Sequence, residues 1–136
     1  IDIDVREQSI EELNRECLEK IEYCKKKNEQ NKLIYQINIE NAKKGDEKAQ
    51  YVIGYMYHKG KGVNKDIHKA EQLLLKSAKQ GDDVACLNLG ILYQTGKLGT
   101  ANMEDAEYWY RKAMDKGNPT ATRIYRRIQS MEQKEN

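Results

Sequence analysis

The sequence predicts an all-α fold, a solenoid of about seven antiparallel helices. Glycines recur on a fixed period, because Gly45, Gly81 and Gly117 stand 36 residues apart. Residues 45–80 align with residues 81–116 without a gap and share 10 identities in 36 positions. Each of the three glycines is followed by an Asp or Asn, the residue types that start helices. A period of this length is typical of stacked helix-turn-helix repeats, in which each unit buries its apolar face against its neighbours.

The first 44 residues predict a lead-in segment over 1–8 and a degenerate helical pair over 9–44. Ser9 and Glu12 form a capping-box pattern that is expected to open a helix running to about Asn28. A second helix is expected over residues 31–44. The predicted inner stripes of the two helices carry apolar residues at helical spacing: Ile10, Leu13, Cys17, Ile21 and Cys24, then Leu33, Ile34 and Ile37.

From Gly45 onward, the pattern predicts repeat 1 over 45–80, repeat 2 over 81–116 and a C-terminal capping helix over 117–136, all within a single domain. Pro119 sits at the permitted first position of the last helix. The expected helices span 46–59, 66–80, 82–95, 103–116 and 118–133, and their expected N-caps are Asp46, Asp66, Asp82, Asn102 and Asn118.

Small residues are expected to let the two helices of each unit approach closely. Gly54 and Gly90 are 36 residues apart, and the alanines at 70 and 106 are the partners that the spacing predicts on the second helix. The large apolar side chains between units are expected to be Tyr57, Tyr93, Leu73 and Trp109.

With these positions the chain resembles the Sel-one-like repeats, relatives of the tetratricopeptide repeats. Repeat 1 matches the family pattern at Ala49, Ile53, Gly54, Tyr57, Gly60, Gly62, Val63, Asp66, Lys69, Ala70, Lys76, Ala78 and Gly81. Repeat 2 matches at Ala85, Leu89, Gly90, Tyr93, Gly96, Ala106, Trp109, Lys112, Ala113 and Gly117. It departs at Leu98, where the pattern has a glycine, so a different second turn is expected. The resemblance implies a right-handed α-solenoid that serves as an adaptor for other proteins.

The resemblance also implies a binding site on the concave face, which the first helix of each unit lines in the related tetratricopeptide arrays. Carried over by register, the expected contact residues are Lys48, Tyr51, Tyr55, His58, Lys59, Leu87, Ile91, Gln94, Arg123 and Arg127. Glu12, Glu19 and Glu22 would make the leading end of this groove acidic. For Tyr51 and Leu87, and also for Tyr55 and Ile91, packing between helices is an open alternative.

The predicted function is a non-catalytic protein–protein interaction module that binds a protein segment and uses no cofactor. A bacterial toxin antidote or effector adaptor is a narrower form of this prediction. The alternatives are a β-lactam-binding hydrolase, as in the cysteine-rich branch of the repeat family, and a weak nucleic-acid binder through the basic C-terminal end. His58 and His68 are the only histidines, and no cysteine or histidine has zinc-site spacing, so neither catalysis nor a metal site is expected.

Composition also bears on nucleic-acid binding, on membrane insertion and on cellular location. A net charge of +2 does not favour nucleic acid as a partner. No apolar run approaches the roughly 20 residues of a membrane span, so none is expected. Cys17 and Cys24 lie seven residues apart on a helix, beyond disulfide reach. The unpaired cysteines favour a reducing, cytoplasmic location.

Overall fold

The computed structural model describes the backbone of residues 3–135, with the side chains of residue 7 and residues 9–135, as six α-helices without a strand. The helices are α1 (Ile3–Lys43), α2 (Glu47–Lys59), α3 (Ile67–Lys79), α4 (Asp83–Thr95), α5 (Met103–Asp115) and α6 (Pro119–Glu135). Helices adjacent in sequence pack against each other in order, from α1 to α6. The all-α solenoid predicted from the sequence is confirmed, with six helices in the described residues where about seven were expected.

The helix starts follow the repeat because each has the predicted cap. The Asp46 carboxylate accepts a hydrogen bond from the Ala49 backbone N–H at 2.9 Å, and Asp82 does the same for Ala85 at 2.9 Å. Equivalent bonds at Asp66, Asn102 and Asn118 cap α3, α5 and α6. These side chains satisfy backbone donors that the first turn of a helix leaves unpaired.

The predicted N-terminal helical pair is wrong, because α1 is one continuous helix of 41 residues. Residues 3–8 of the expected lead-in belong to α1, and Ser9 lies inside the helix, while residues 1 and 2 fall outside the described residues. In repeat 1 the turn depends on Gly60, whose φ of +69° ends α2. The equivalent position 36 residues earlier is Cys24, and the first 44 residues contain neither glycine nor proline. Nothing in this stretch therefore ends the helix.

The last third of α1 occupies the place of a second helix from a preceding unit. The Tyr35 and Tyr57 hydroxyls lie 3.0 Å apart, and the Tyr93 hydroxyl donates to the Glu71 carboxylate at 3.1 Å. The two bonds are equivalent, since Glu71 and Tyr93 each lie 36 residues after Tyr35 and Tyr57. A Cβ at Gly62 would come within 2.8 Å of the Asn31 backbone, so this turn also abuts α1.

The face of α1 that packs on repeat 1 also differs from the prediction. Tyr35, Ile39 and Ala42 pack with Ile53 and Met56 of α2. Leu33, Ile34 and Ile37, which were expected to point inward, are 58%, 38% and 67% exposed. Their expected partner was a preceding antiparallel helix, and α1 continues straight instead of folding back to supply it.

Within each repeat the residue that meets the helical glycine lies one turn beyond the predicted Ala70 and Ala106. A Cβ on Gly54 would lie 3.1 Å from Leu74 Cγ, and one on Gly90 would lie 2.5 Å from Tyr110 Cε1. Leu74 and Tyr110 are fully buried, whereas the predicted Leu73 and Trp109 are half-buried. A shift of one residue turns a helix by about 100°, which moves the neighbouring residue into the interface.

The turns that join the two helices within repeat 1 and repeat 2 differ, as expected from Leu98 at a position where the family pattern has a glycine. Gly62 of the first turn has a φ of +74°, while the second turn places its positive φ of +133° at Gly99. Leu98 is half-buried and packs against the core cluster formed by residues of α3, α4, α5 and α6.

Candidate protein-binding surface

The predicted contact residues lie on the first helix of each unit, α2, α4 and α6. We call the outward side of these three helices the first-helix surface; it contains Lys48, Tyr51, Tyr55, Lys59, Leu87, Ile91, Gln94, Arg123 and Arg127. The structure places its apolar members, Tyr51, Tyr55, Leu87 and Ile91, as half-buried side chains. Half-burial gives an aromatic or aliphatic side chain a fixed position and leaves area for a ligand.

Two tyrosines form the α2 part of this surface. The rings of Tyr51 and Tyr55 have centroids 6.2 Å apart at an interplanar angle of 37°. Lys61 Nζ lies 5.5 Å from the Tyr55 ring centroid, a cation–π distance. Sequence reasoning missed Lys61, because it belongs to the turn and not to the helical register.

Tyr51 and Leu87 connect α2 to α4. Burial raises the pKa of Tyr51, and the nearby Asn88 side chain partly offsets that rise. Both residues pack against the core cluster that includes Leu74 and Leu89, and Leu87 also packs against Tyr110. The alternative of packing between helices therefore holds for part of each side chain, and the exposed remainder lies on the first-helix surface.

Ile91 and Gln94 continue the surface towards α6. Ile91 packs against the cluster of Ala106, Tyr110 and Ile128, to which Ile124 of α6 also belongs. The Tyr110 hydroxyl donates a hydrogen bond of 2.5 Å to Gln94 Oε1. Because that bond ties the Gln94 amide to the core, Gln94 is held in place although it is exposed.

Four exposed cations surround the apolar part: Lys48, Lys59, Arg123 and Arg127. None of them lies within 4.0 Å of a carboxylate among the residues that the structure describes, where Lys43 and Glu40 form the ion pair at 3.8 Å. Their charges are therefore available to a ligand, and they favour an acidic one.

His58 does not belong to this surface. Its side chain is 3% exposed, and Lys97 Nζ lies 3.4 Å from its Nε2. Burial, together with the positive charges of Lys97, Lys59 and Lys65, lowers the pKa of His58 to about 4. Because a lysine can only donate, Nε2 is the acceptor and Nδ1 carries the proton, without a hydrogen-bond partner among the described residues. His58 is therefore a buried neutral residue and cannot contact a ligand.

The acidic end of the expected groove is also absent from this surface. Glu12, Glu19 and Glu22 lie on the exposed first half of α1, which continues straight instead of returning beside α2. The prediction required the helical pair that the structure does not have. The first-helix surface thus carries positive charge at both ends.

Among the side chains that the structure describes, those of residue 7 and residues 9–135, no group of three or more His, Cys, Asp or Glu is placed to hold a metal ion. Cys17 and Cys24 are exposed free thiols, and Cys86 is a buried one. Among the described helices, none has both the length and the apolar character needed to cross a membrane.

The Sel1 repeat family model matches residues 47–82 and 83–118, which together make up more than half of the chain. The chain belongs to the Sel1 repeat family. Sel1 repeats are generally protein-interaction modules and generally act as non-catalytic scaffolds. No curated protein matches the sequence at a significant level.

Solved structures share this fold, and two of them are the following. One is a protective antigen present in uropathogenic Escherichia coli strains that displays an SLR fold, with 30% identity and a TM-score of 0.67 over 70% of this chain. The other is a Sel1 repeat protein from Oxalobacter formigenes, with 30% identity and a TM-score of 0.66 over 69% of this chain. The aligned region spans 20% and 38% of those two proteins, so this chain corresponds to a part of each.

Proposed function

We propose that this chain is a non-catalytic module that docks a protein segment on the first-helix surface of its Sel1 repeats. The main support for the proposal is the set of half-buried side chains Tyr55 and Tyr51 on α2 and Leu87 and Ile91 on α4. Tyr51, Leu87 and Ile91 pack on the core clusters, and Tyr55 contacts the Tyr51 ring. Apolar side chains with a charged rim suit an amphipathic peptide or helix, and tyrosine and arginine are the usual energetic anchors of such contacts.

The charge of the rim defines the ligand further. Lys48, Lys59, Lys61, Arg123 and Arg127 are all exposed cations on or beside the first-helix surface. A segment with apolar anchors and flanking Asp or Glu residues would match it, and its association rate would fall with added salt. A bacterial toxin antidote or effector adaptor is a narrower form of this proposal, which co-purification with the product of a neighbouring toxin gene would support.

The hydrolase alternative has no support among the described residues. The cysteine-rich branch carries a disulfide in every unit, whereas the three cysteines of this chain are free.

The experiment measures partner binding after changes on and off the first-helix surface. Tyr55→Ala combined with Arg123→Glu and Arg127→Glu should weaken binding of the partner co-purified from the source cell by at least about tenfold, because hot-spot aromatic and arginine side chains each contribute that much. The melting temperature should stay near that of the wild type, since Arg123 and Arg127 are exposed and Tyr55 is half-buried.

Helix α5 offers a matched control. Tyr108 is 52% exposed and lies under Lys112 Nζ at 5.4 Å, much as Tyr55 lies under Lys61. Tyr108→Ala combined with Arg111→Glu and Lys112→Glu removes the same chemistry from the second helix of a unit. This control should bind normally. Equal loss in both variants, or in neither, would refute docking on the first-helix surface.

A further inference from the structure

The first half of α1 carries an apolar stripe that the chain itself does not cover. All residues from 9 to 30 are exposed. Ile10, Leu13 and Ile21 are 57%, 60% and 51% exposed, and Cys17 and Cys24 complete a spacing of three, four, four and three residues. At about 100° per residue, these five side chains fall within an arc of about 80° on one side of the helix. We call them the N-terminal stripe.

The N-terminal stripe continues an interface that is already formed. Tyr35, Ile39 and Ala42 of the same helix pack on α2, and helical geometry places them on the same arc as the stripe. One and the same side of α1 is therefore buried against repeat 1 in the last third of the helix, and apolar but exposed in its first half. A helix lying on the stripe would run up to the turn at Gly62, which abuts Asn31.

The charges along α1 indicate what would lie there. Residues 7–23 contain six glutamates against Arg15 and Lys20, and residues 25–44 contain six lysines against Glu29 and Glu40. An antiparallel second copy would bring the glutamates at the start of the acidic segment beside the first lysines of the other helix. A parallel copy would place glutamates on glutamates and lysines on lysines, which is unfavourable.

We propose that two copies of this chain pair through antiparallel contact of their N-terminal stripes, centred near Cys17. Ile10 of one copy then faces Cys24 of the other, and Leu13 faces Ile21. The same arrangement places Glu7 and Glu11 near Lys25 of the second copy, on the same flank of the contact. The contact is isologous, as expected for a two-fold dimer, and it leaves the first-helix surface of each copy free.

The first test is the oligomeric state of the full chain. Sedimentation equilibrium or light scattering should give a mass of twice 15.8 kDa at protein concentrations of about 100 µM, with a dissociation that depends on concentration. Ile21→Asp places a charge in the stripe and should weaken the dimer at least about tenfold. Because Ile21 is exposed and α1 is held by its last third, the variant should keep the wild-type helix content.

Ile37 provides a matched control on the same helix. It is 67% exposed, but helical geometry places it on the opposite side of α1 from the N-terminal stripe. Ile37→Asp should therefore leave the dimer intact. A monomeric wild type would overturn the proposal, and so would a dimer that Ile21→Asp leaves unchanged or that Ile37→Asp disrupts equally.

The second test is orientation, through the exposed thiols. In a Cys17→Ser background, antiparallel pairing holds the two Cys24 residues roughly 20 Å apart along the helices, too far for a disulfide. Adding Ile10→Cys should produce a covalent dimer under mild oxidation, because residue 10 faces Cys24 of the other copy. Cross-linking of the Cys17→Ser chain through Cys24 alone would show parallel pairing and refute the proposal. Partner binding through Tyr55 is measured separately, so either proposal can fail without the other.

Discussion

Gly90→Ala tests directly how the repeat helices approach each other. A Cβ at this position would lie 2.5 Å from Tyr110 Cε1 and 2.6 Å from Tyr110 Cδ1, far inside van der Waals contact. The Tyr110 ring cannot easily withdraw, because it is fully buried and its hydroxyl is bonded to Gln94. Replacing a helical glycine by alanine normally stabilises by about 0.5–1 kcal/mol. Overpacking costs about 1–3 kcal/mol, so we expect a net loss of about 1–2 kcal/mol.

Gly54→Ala is the matched variant in repeat 1. There the new Cβ would lie 3.1 Å from Leu74 Cγ and 3.3 Å from Leu73 Cβ, a contact that small side-chain shifts can relieve. The gain in helix propensity and the packing cost should nearly cancel, so the free energy of unfolding should stay within about 1 kcal/mol of the wild type. The difference between the two variants therefore measures the packing of Tyr110.

The assay is urea unfolding followed by helical circular dichroism, and a double-mutant cycle adds a stricter test. Tyr110→Leu gives repeat 2 the residue that repeat 1 has at Leu74. In that background Gly90→Ala should cost at least about 1 kcal/mol less than in the wild type. A Gly90→Ala chain as stable as the wild type, or no coupling with Tyr110, would refute this description of the interface.

Three further predictions concern single groups. The pKa of His58 is about 4 in the folded chain against an ordinary 6.5, so the unfolded chain binds a proton at this residue more readily. The contribution of neutral His58 to the free energy of unfolding should therefore be complete above about pH 6.5. It should fall by about 2–3 kcal/mol as the pH drops to 4. His58→Gln should flatten that part of the curve of urea midpoint against pH. Asp82→Ala removes the cap bond to the Ala85 N–H and should lower stability by about 1 kcal/mol in the same unfolding assay. Ellman's reagent should titrate Cys17 and Cys24 quickly in the native chain and Cys86 only after unfolding, because Cys86 is 1% exposed and burial raises its pKa.

The sequence predicted those features that local chemistry determines. Asp46, Asp66 and Asp82 cap helices in the structure because a carboxylate before a helical segment pairs with free backbone N–H groups wherever it occurs. The spacing of these capping residues revealed the repeat, and the repeat predicted the order of helices α2 to α6.

The wrong predictions have two causes. The chain lacks a helix-ending glycine where the period was extended backwards, and the period does not determine which face of a helix points inward. The helical pair over 9–44 was inferred by extending the period backwards, although the chain has Cys24 where Gly60 ends α2. Leu74 and Tyr110 were missed in favour of their neighbours, because the period alone does not fix the rotation of a helix about its axis. His58 occupies a register position that is outward in related arrays, and only coordinates reveal Lys97 packed over it.

The most direct test of partner docking is site-specific photo-crosslinking. Tyr55 and Tyr108 are replaced in turn by p-benzoylphenylalanine, which carries an aromatic side chain and so fits both half-exposed sites. With the co-purified partner bound, we predict a covalent adduct from position 55 on the first-helix surface and none from position 108 on α5. An adduct at 108 without one at 55 would contradict the proposed mode of binding.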